Sequence, residues 1–247
     1  MTARETTHRI LLIQIRDEPS VRQEEVDSFL RYGGLDPGEL VVWNVFDRPD
    51  FGPSIVDGFD AVFVGGASEA SAMEPERYPF VRNIVTLQRY CLEQKIPHFA
   101  SCFGFQTAVL AFGGRLQRDE RDFEMGTLPI SLREAAAEDT LFHDVPEGFL
   151  AVSCHRERSL TAPPGTVELA YTEACCHVFR AKESPFWAFQ FHPELDRACF
   201  EARLRIFQAK YSDDPESLEH VFSTFQETPL SNDLVKKFVD RVLSSPA

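Results

Sequence analysis

A chain of 247 residues with 43% in the hydrophobic class carries enough apolar side chain for one large core or two small ones, which excludes disorder as its overall state. Acidic residues outnumber basic ones, 39 to 25, for a formal charge of −14, the wrong sign for holding a phosphate backbone or an anionic bilayer, so no nucleic-acid or membrane partner is expected. The run Ile10 to Ile15 stops at Arg16 and Asp17 and is too short for a signal-peptide core or a membrane span, so the expectation is a soluble, cytoplasmic protein.

Arg9 to Ile15 reads as a buried strand of a parallel sheet. Ser20 with Gln23 resembles a capping box, Val26, Phe29 and Leu30 follow at helical spacing, and Gly33-Gly34 gives the stop. Leu40 to Phe46 and Phe59 to Val64 are two further β-rich runs, the second ending at Gly65-Gly66, and a loop at a strand's carboxyl end is where open α/β sheets place ligands. Phe80, Ile84, Leu87, Tyr90 and Cys91 predict a helix over Pro79 to Gln94, ahead of a short strand, Ile96 to Ser101, and a helix, Thr107 to Phe112, closed by Gly113-Gly114. From Arg115 to Arg180 short β pieces (Thr127 to Leu132, Phe149 to Ser153, Val167 to Tyr171) between charged or Pro/Gly turns suggest an antiparallel flap. Trp187 to Phe191 is the last strand, and Arg197 to Tyr211, Glu216 to Phe225 and Asn232 to Leu243 read as three helices. The 22 phenylalanines are read as core, and the six cysteines, too sparse for a disulfide scaffold, as thiols.

Cys102 stands between the strand ending at Ser101 and a helix beginning near Phe103-Gly104, the elbow that exposes a nucleophile at a sheet edge. A helix N-terminus favours a thiolate through its dipole and unpaired amides, which makes attack on a carbonyl feasible near neutral pH. The amide of Phe103 and one from Gly65-Gly66 are the expected oxyanion donors. A base is then needed, and His192 ends the last strand with Glu194 two residues on; strand periodicity across Pro193 puts both toward one side if the chain stays extended. Cys102, His192 and Glu194 thus read as nucleophile, base and orienter.

Together these residues resemble the class I glutamine amidotransferase family, the triad glutaminases. The resemblance runs from about residue 8 to 210 and rests on Val64-Gly65-Gly66, Ser101-Cys102-Phe103-Gly104-Phe105-Gln106, Gly113-Gly114, Glu124-Met125-Gly126 and Phe191-His192-Pro193-Glu194, in the family's order. It implies a flavodoxin-like, mostly parallel α/β sheet with helices on both faces, a small antiparallel flap and C-terminal helices. It also implies a glutaminase-like domain over residues 1–211, with 212–247 a helical extension packed on it. It assigns the triad as above, places Gln106 in the substrate site, and makes His155 a pocket-wall residue, with Glu124 a further substrate contact. Two positions depart from the family pattern: Ala100 replaces a usual glycine and Phe105 a usual histidine.

The implied reaction is hydrolysis of the γ-carboxamide of glutamine through a γ-glutamyl thioester, with no cofactor and no metal. Cys154-His155 and Cys175-Cys176-His177 carry zinc-type ligands, but the spacing is poor for chelation and a structural role is preferred. No P-loop or GxGxxG accompanies the chain, so the ammonia acceptor is expected on a separate synthetase subunit. The alternatives are a free-standing hydrolase or transferase of γ-glutamyl peptides or amines, and a non-catalytic binding module of the same fold.

Overall fold

The computed structural model describes residues 7–119, 123–207 and 222–244. β1 (Ile10–Gln14) is buried at every residue, as a strand covered on both faces must be. α1 (Pro19–Gly33) starts one residue before the expected cap: Pro19 takes the first helical position, the Glu18 side chain accepts from the Ser20 amide, and Gly34 ends the helix at φ +60°. β2 (Leu40–Asn44), β3 (Ala61–Val64), α2 (Phe80–Glu93), β4 (His98–Ser101) and α3 (Phe103–Ala111) follow in the expected order.

The antiparallel region comprises β5 (Gln117–Arg118), β6 (Glu124–Leu132), β7 (Phe149–His155), β8 (Glu157–Arg158), β9 (Thr166–Tyr171) and β10 (Cys176–Ala181). β11 (Phe186–Phe189), α4 (Arg197–Ile206), α5 (Pro229–Phe238) and a π turn, Val239–Leu243, complete the described chain. Parts of the expected helices Arg197 to Tyr211 and Glu216 to Phe225, and the boundary at 211/212, lie outside the described residues.

The main sheet has the order β2-β1-β3-β4-β11-β10-β9-β6-β7. The first five strands pair in parallel, and their order is the flavodoxin-like one, with its switch point between β1 and β3. The remaining pairings are antiparallel. Among the described residues, β5 and β8 form a separate two-stranded flap; the other antiparallel pieces extend the main sheet, because β11 pairs with β4 on one side and with β10 on the other. β10 carries a histidine and an arginine that interrupt the apolar pattern of a strand.

Alternation along β1 feeds two cores. Ile10 and Leu12 join Phe29, Phe63 and Phe99 under α1 and α5, while Leu11 and Ile13 join Val62, Ile84 and Phe105 under α2 and α3. The phenylalanines do serve as core: Phe99 meets the rings of Phe29, Phe63, Phe189 and Phe238 at centroid distances of 4.5 to 6.4 Å. α5 contributes Leu234, Val235 and Phe238 to that core. No helix among the described residues is long and apolar enough to cross a membrane.

Candidate active site

Three parallel strands end side by side. Val64 of β3 is in register with Ala100 of β4, and Ser101 of β4 with Phe189 of β11. The segments beyond those ends, Gly65-Gly66, Cys102 and Gln190 to Glu194, therefore emerge at one edge of the sheet, and the ninety residues between Cys102 and His192 collapse to neighbouring strands.

Cys102 takes φ +49° and ψ −98°, a sparsely populated region for a residue with a Cβ. The surroundings hold it there. Its amide donates to Phe189 O at 2.7 Å, its carbonyl accepts from Gln106 N–H at 3.0 Å, and the Gly104 amide donates to Gly65 O at 3.2 Å. Gly104 is required at that turn, since a Cβ would lie 2.4 Å from Val64 O. Cys102 is 4% exposed, and its sulfur lies 4.0 Å from the carbonyl of Cys154.

His192 lies past the end of β11, in a turn closed by Leu195 N–H to His192 O at 3.3 Å. The extension expected across Pro193 is absent, yet the turn brings the two side chains together: His192 Nδ1 sits 2.6 Å from Glu194 Oε1. The His192 amide is also anchored, donating to Val152 O at 2.8 Å. Burial disfavours the imidazolium, but the charges of Cys102 and Glu194 and hydrogen bonds with both outweigh it, and the His192 pKa is pushed up to about 9. Burial likewise raises Glu194, and the opposing charges of His192 and Arg203 carry it below the usual carboxylate range. All three side chains meet in one buried cluster.

Gly65 and Gly66 have separate roles. The Gly65 amide is committed to Ile13 O at 3.1 Å, so the expectation that it donates to an oxyanion is corrected; a Cβ there would meet the Glu25 carboxylate at 2.8 Å. Gly66 packs directly on the imidazole, where a Cβ would lie 2.7 Å from His192 Cε1. Phe103 opens α3, so its amide has no acceptor inside the helix.

A cavity of about 430 Å³ opens over Cys102 and is walled by Gln106, Tyr78, Arg118, His155 and Arg156, among others. Gln106 is held by its Nε2 donating to Glu157 O at 3.0 Å. Glu124 does not face this space. Its carboxylate points into a cluster with His177 Nε2 at 2.9 Å, His155 Nε2 at 3.1 Å and Cys175 Sγ at 3.4 Å, which corrects the expected substrate contact. The two histidine-containing segments set apart by sequence are thus brought together by the sheet.

Sequence reasoning misses the charges behind this cluster. Arg16, 1% exposed, pairs with buried Glu25 at 2.9 Å and donates to Ser68 Oγ at 3.1 Å. Arg203 pairs with Glu24 at 2.6 Å. The one available sign is Arg16 itself, a charge placed where a buried strand reaches the carboxyl edge of the sheet.

A family model described as glutamine amidotransferase class-I matches residues 44–204. The chain belongs to the class I glutamine amidotransferase family. Among curated relatives, one subunit of the glutamine-hydrolysing GMP synthase of Methanococcus aeolicus is 34% identical over 105 residues, covering 42% of this chain and 54% of that protein. The longer GMP synthase of Borreliella burgdorferi is 30% identical over 115 residues, 47% of this chain and 22% of that protein. The chain therefore spans about half of the first relative and under a quarter of the second. Two solved glutamine amidotransferase structures share the fold: that from Thermotoga maritima, with TM-score 0.74 and 17% identity over 98% of this chain and all of the other, and that from Methylobacillus flagellatus, with TM-score 0.75 and 18% identity over 97% and 95%.

Proposed function

We propose that this member of the family hydrolyses the γ-carboxamide of glutamine at the Cys102–His192–Glu194 cluster. The observation that carries the reading is the strained elbow at Cys102 facing an imidazole that is itself held by a buried carboxylate at 2.6 Å. The Cys102 thiolate attacks the amide carbon, and the amides of Gly66 and Phe103 stabilise the oxyanion. His192, protonated across neutral pH, gives its proton to the departing ammonia and then takes one from the water that hydrolyses the γ-glutamyl thioester. Glu194 fixes the ring and stabilises its charge. Gln106, on the cavity wall, positions the substrate, while the His155 ring, 1% exposed, is turned to Glu124 behind that wall.

The released ammonia is passed to a separate acceptor enzyme. Support for this comes from the match to relatives that are each one subunit of a GMP synthase. Ammonia release from glutamine by the purified chain, with Cys102→Ala as control, tests the hydrolysis; stimulation by an added synthetase tests the partner.

A second reading is favoured by the cavity. Its volume of about 430 Å³ is in the range of whole ligand pockets and leaves room beyond the γ-carbonyl for a peptide tail. On that reading the substrate is a γ-glutamyl peptide, and hydrolysis of such peptides faster than of glutamine selects it.

A further inference from the structure

Glu124, His155, Cys175 and His177 each offer one ligand atom, and these four atoms lie within 4.8 Å of one another. They come from strands β6, β7 and β10 and from the residue before β10, with Glu124 directly opposite His155 in the β6–β7 register. His155 and His177 are 1% and 0% exposed at the side chain. The Nδ1 atoms of His155 and His177 have no hydrogen-bond partner, while both Nε2 atoms converge on the one Glu124 carboxylate oxygen, at 3.1 and 2.9 Å. Two buried imidazoles and a thiol therefore crowd a single carboxylate oxygen, which a cation at the centre of the four ligand atoms would satisfy better than shared protons do.

The geometry points to a metal site: Glu124 Oε2, His155 Nε2, Cys175 Sγ and His177 Nε2 bind one divalent transition-metal ion of the zinc class. One thiolate, two imidazoles and one carboxylate are zinc's ordinary donors, and a Cys/His set disfavours calcium and magnesium, which take oxygen. The separations from Glu124 Oε2, 2.9, 3.1 and 3.4 Å, are close to the ~3.3–3.8 Å edges that bond lengths of about 2.0–2.3 Å give a tetrahedron. Binding releases the Cys175 proton, so two negative ligands balance the dication and the buried site is neutral. Four protein ligands leave no open position, so the ion is structural, pinning β6, β7 and β10 behind the wall that carries the Cys154 carbonyl against Cys102.

The test uses the whole chain in a Cys102→Ser/Cys154→Ser background, which removes both thiols that line the cavity. Titration with Co²⁺ is expected to reach about one ion per chain, with a thiolate-to-cobalt charge-transfer band and the intense visible bands of tetrahedral cobalt. Cys175→Ser added to that background abolishes the charge-transfer band, and His177→Gln weakens binding roughly 100-fold or more. Cys199→Ser leaves spectrum and stoichiometry unchanged. A folded protein, judged by circular dichroism, that takes up no Co²⁺ overturns the site, as does a charge-transfer band that survives Cys175→Ser. Should the ligand variants fail to fold, the Cys102→Ser/Cys154→Ser titration alone decides, because a missing thiolate band there rejects the assignment.

Discussion

The two halves of the main sheet are built from different sequences and do different work. In the parallel half, β1, β3, β4 and β11 are buried at every residue, and their carboxyl ends deliver Gly66, Cys102 and the His192 turn to one edge. The antiparallel half mixes half-buried with buried residues along β6 and β9 and builds a cavity wall, with Glu124, His155, Cys175 and His177 gathered into one cluster behind it. A continuous apolar strand fixes the position of the loop at its end, whereas a half-buried one fixes the side chains on its faces.

The largest expected effect belongs to the parallel half. Cys102→Ala is expected to lower kcat for glutamine hydrolysis by at least ~10⁴-fold while leaving the circular dichroism spectrum unchanged; an activity loss under tenfold would place the chemistry elsewhere. Next comes the core beneath it. Phe99, fully buried among four other rings, is expected to cost about 3–5 kcal/mol when cut to alanine, read as a shift of the denaturant midpoint.

Glu194→Gln should reduce kcat/KM by roughly 10²-fold and also move the pH profile. His192 has a pKa of about 9 against an ordinary 6.5, so its charged form supports the site fully below about 6.5 and is lost as pH rises through about 9. Glu194 has the opposite sign: its folded pKa is depressed, so its contribution is present above the ordinary carboxylate range and is lost on acidification. Removing the Glu194 charge loosens the His192 proton, and the alkaline limb of kcat/KM is expected to move to lower pH. A limb that stays in place separates Glu194 from the ring. The smallest effect lies between α3 and the separate flap. Gln106 on α3 donates to Glu157 O of the flap, and Gln106→Ala is expected to raise KM about fivefold with kcat little changed.

The halves also differ in how much of them is legible in sequence. β1, β3, β4 and β11 announce themselves as apolar runs, and the elbow and His-Pro-Glu segments point to their chemistry because nucleophile and base each sit at a strand end. The hidden part depends on pairing. Nothing local to Cys175–His177 says that β10 lies beside β11, so the approach of His177 to His155 and Glu124 is invisible in one dimension, and their poor linear spacing argues against a shared ion. Gly65 stands at the expected edge, yet its amide is taken by Ile13, a bond that only the β1–β3 register reveals. The pairing of Arg16 with Glu25 likewise needs β1 and α1 folded together.

The claim on which the rest stands is that Cys102 forms an acyl bond in a site completed by His192. Rapid acid quench of the whole protein mixed with excess glutamine, followed by intact and peptide mass spectrometry, measures it directly. One added glutamyl group per chain, confined to the peptide holding Cys102 and absent from Cys102→Ala, is the predicted result. Ammonia release with no adduct on that peptide, or with the adduct on another cysteine, contradicts it.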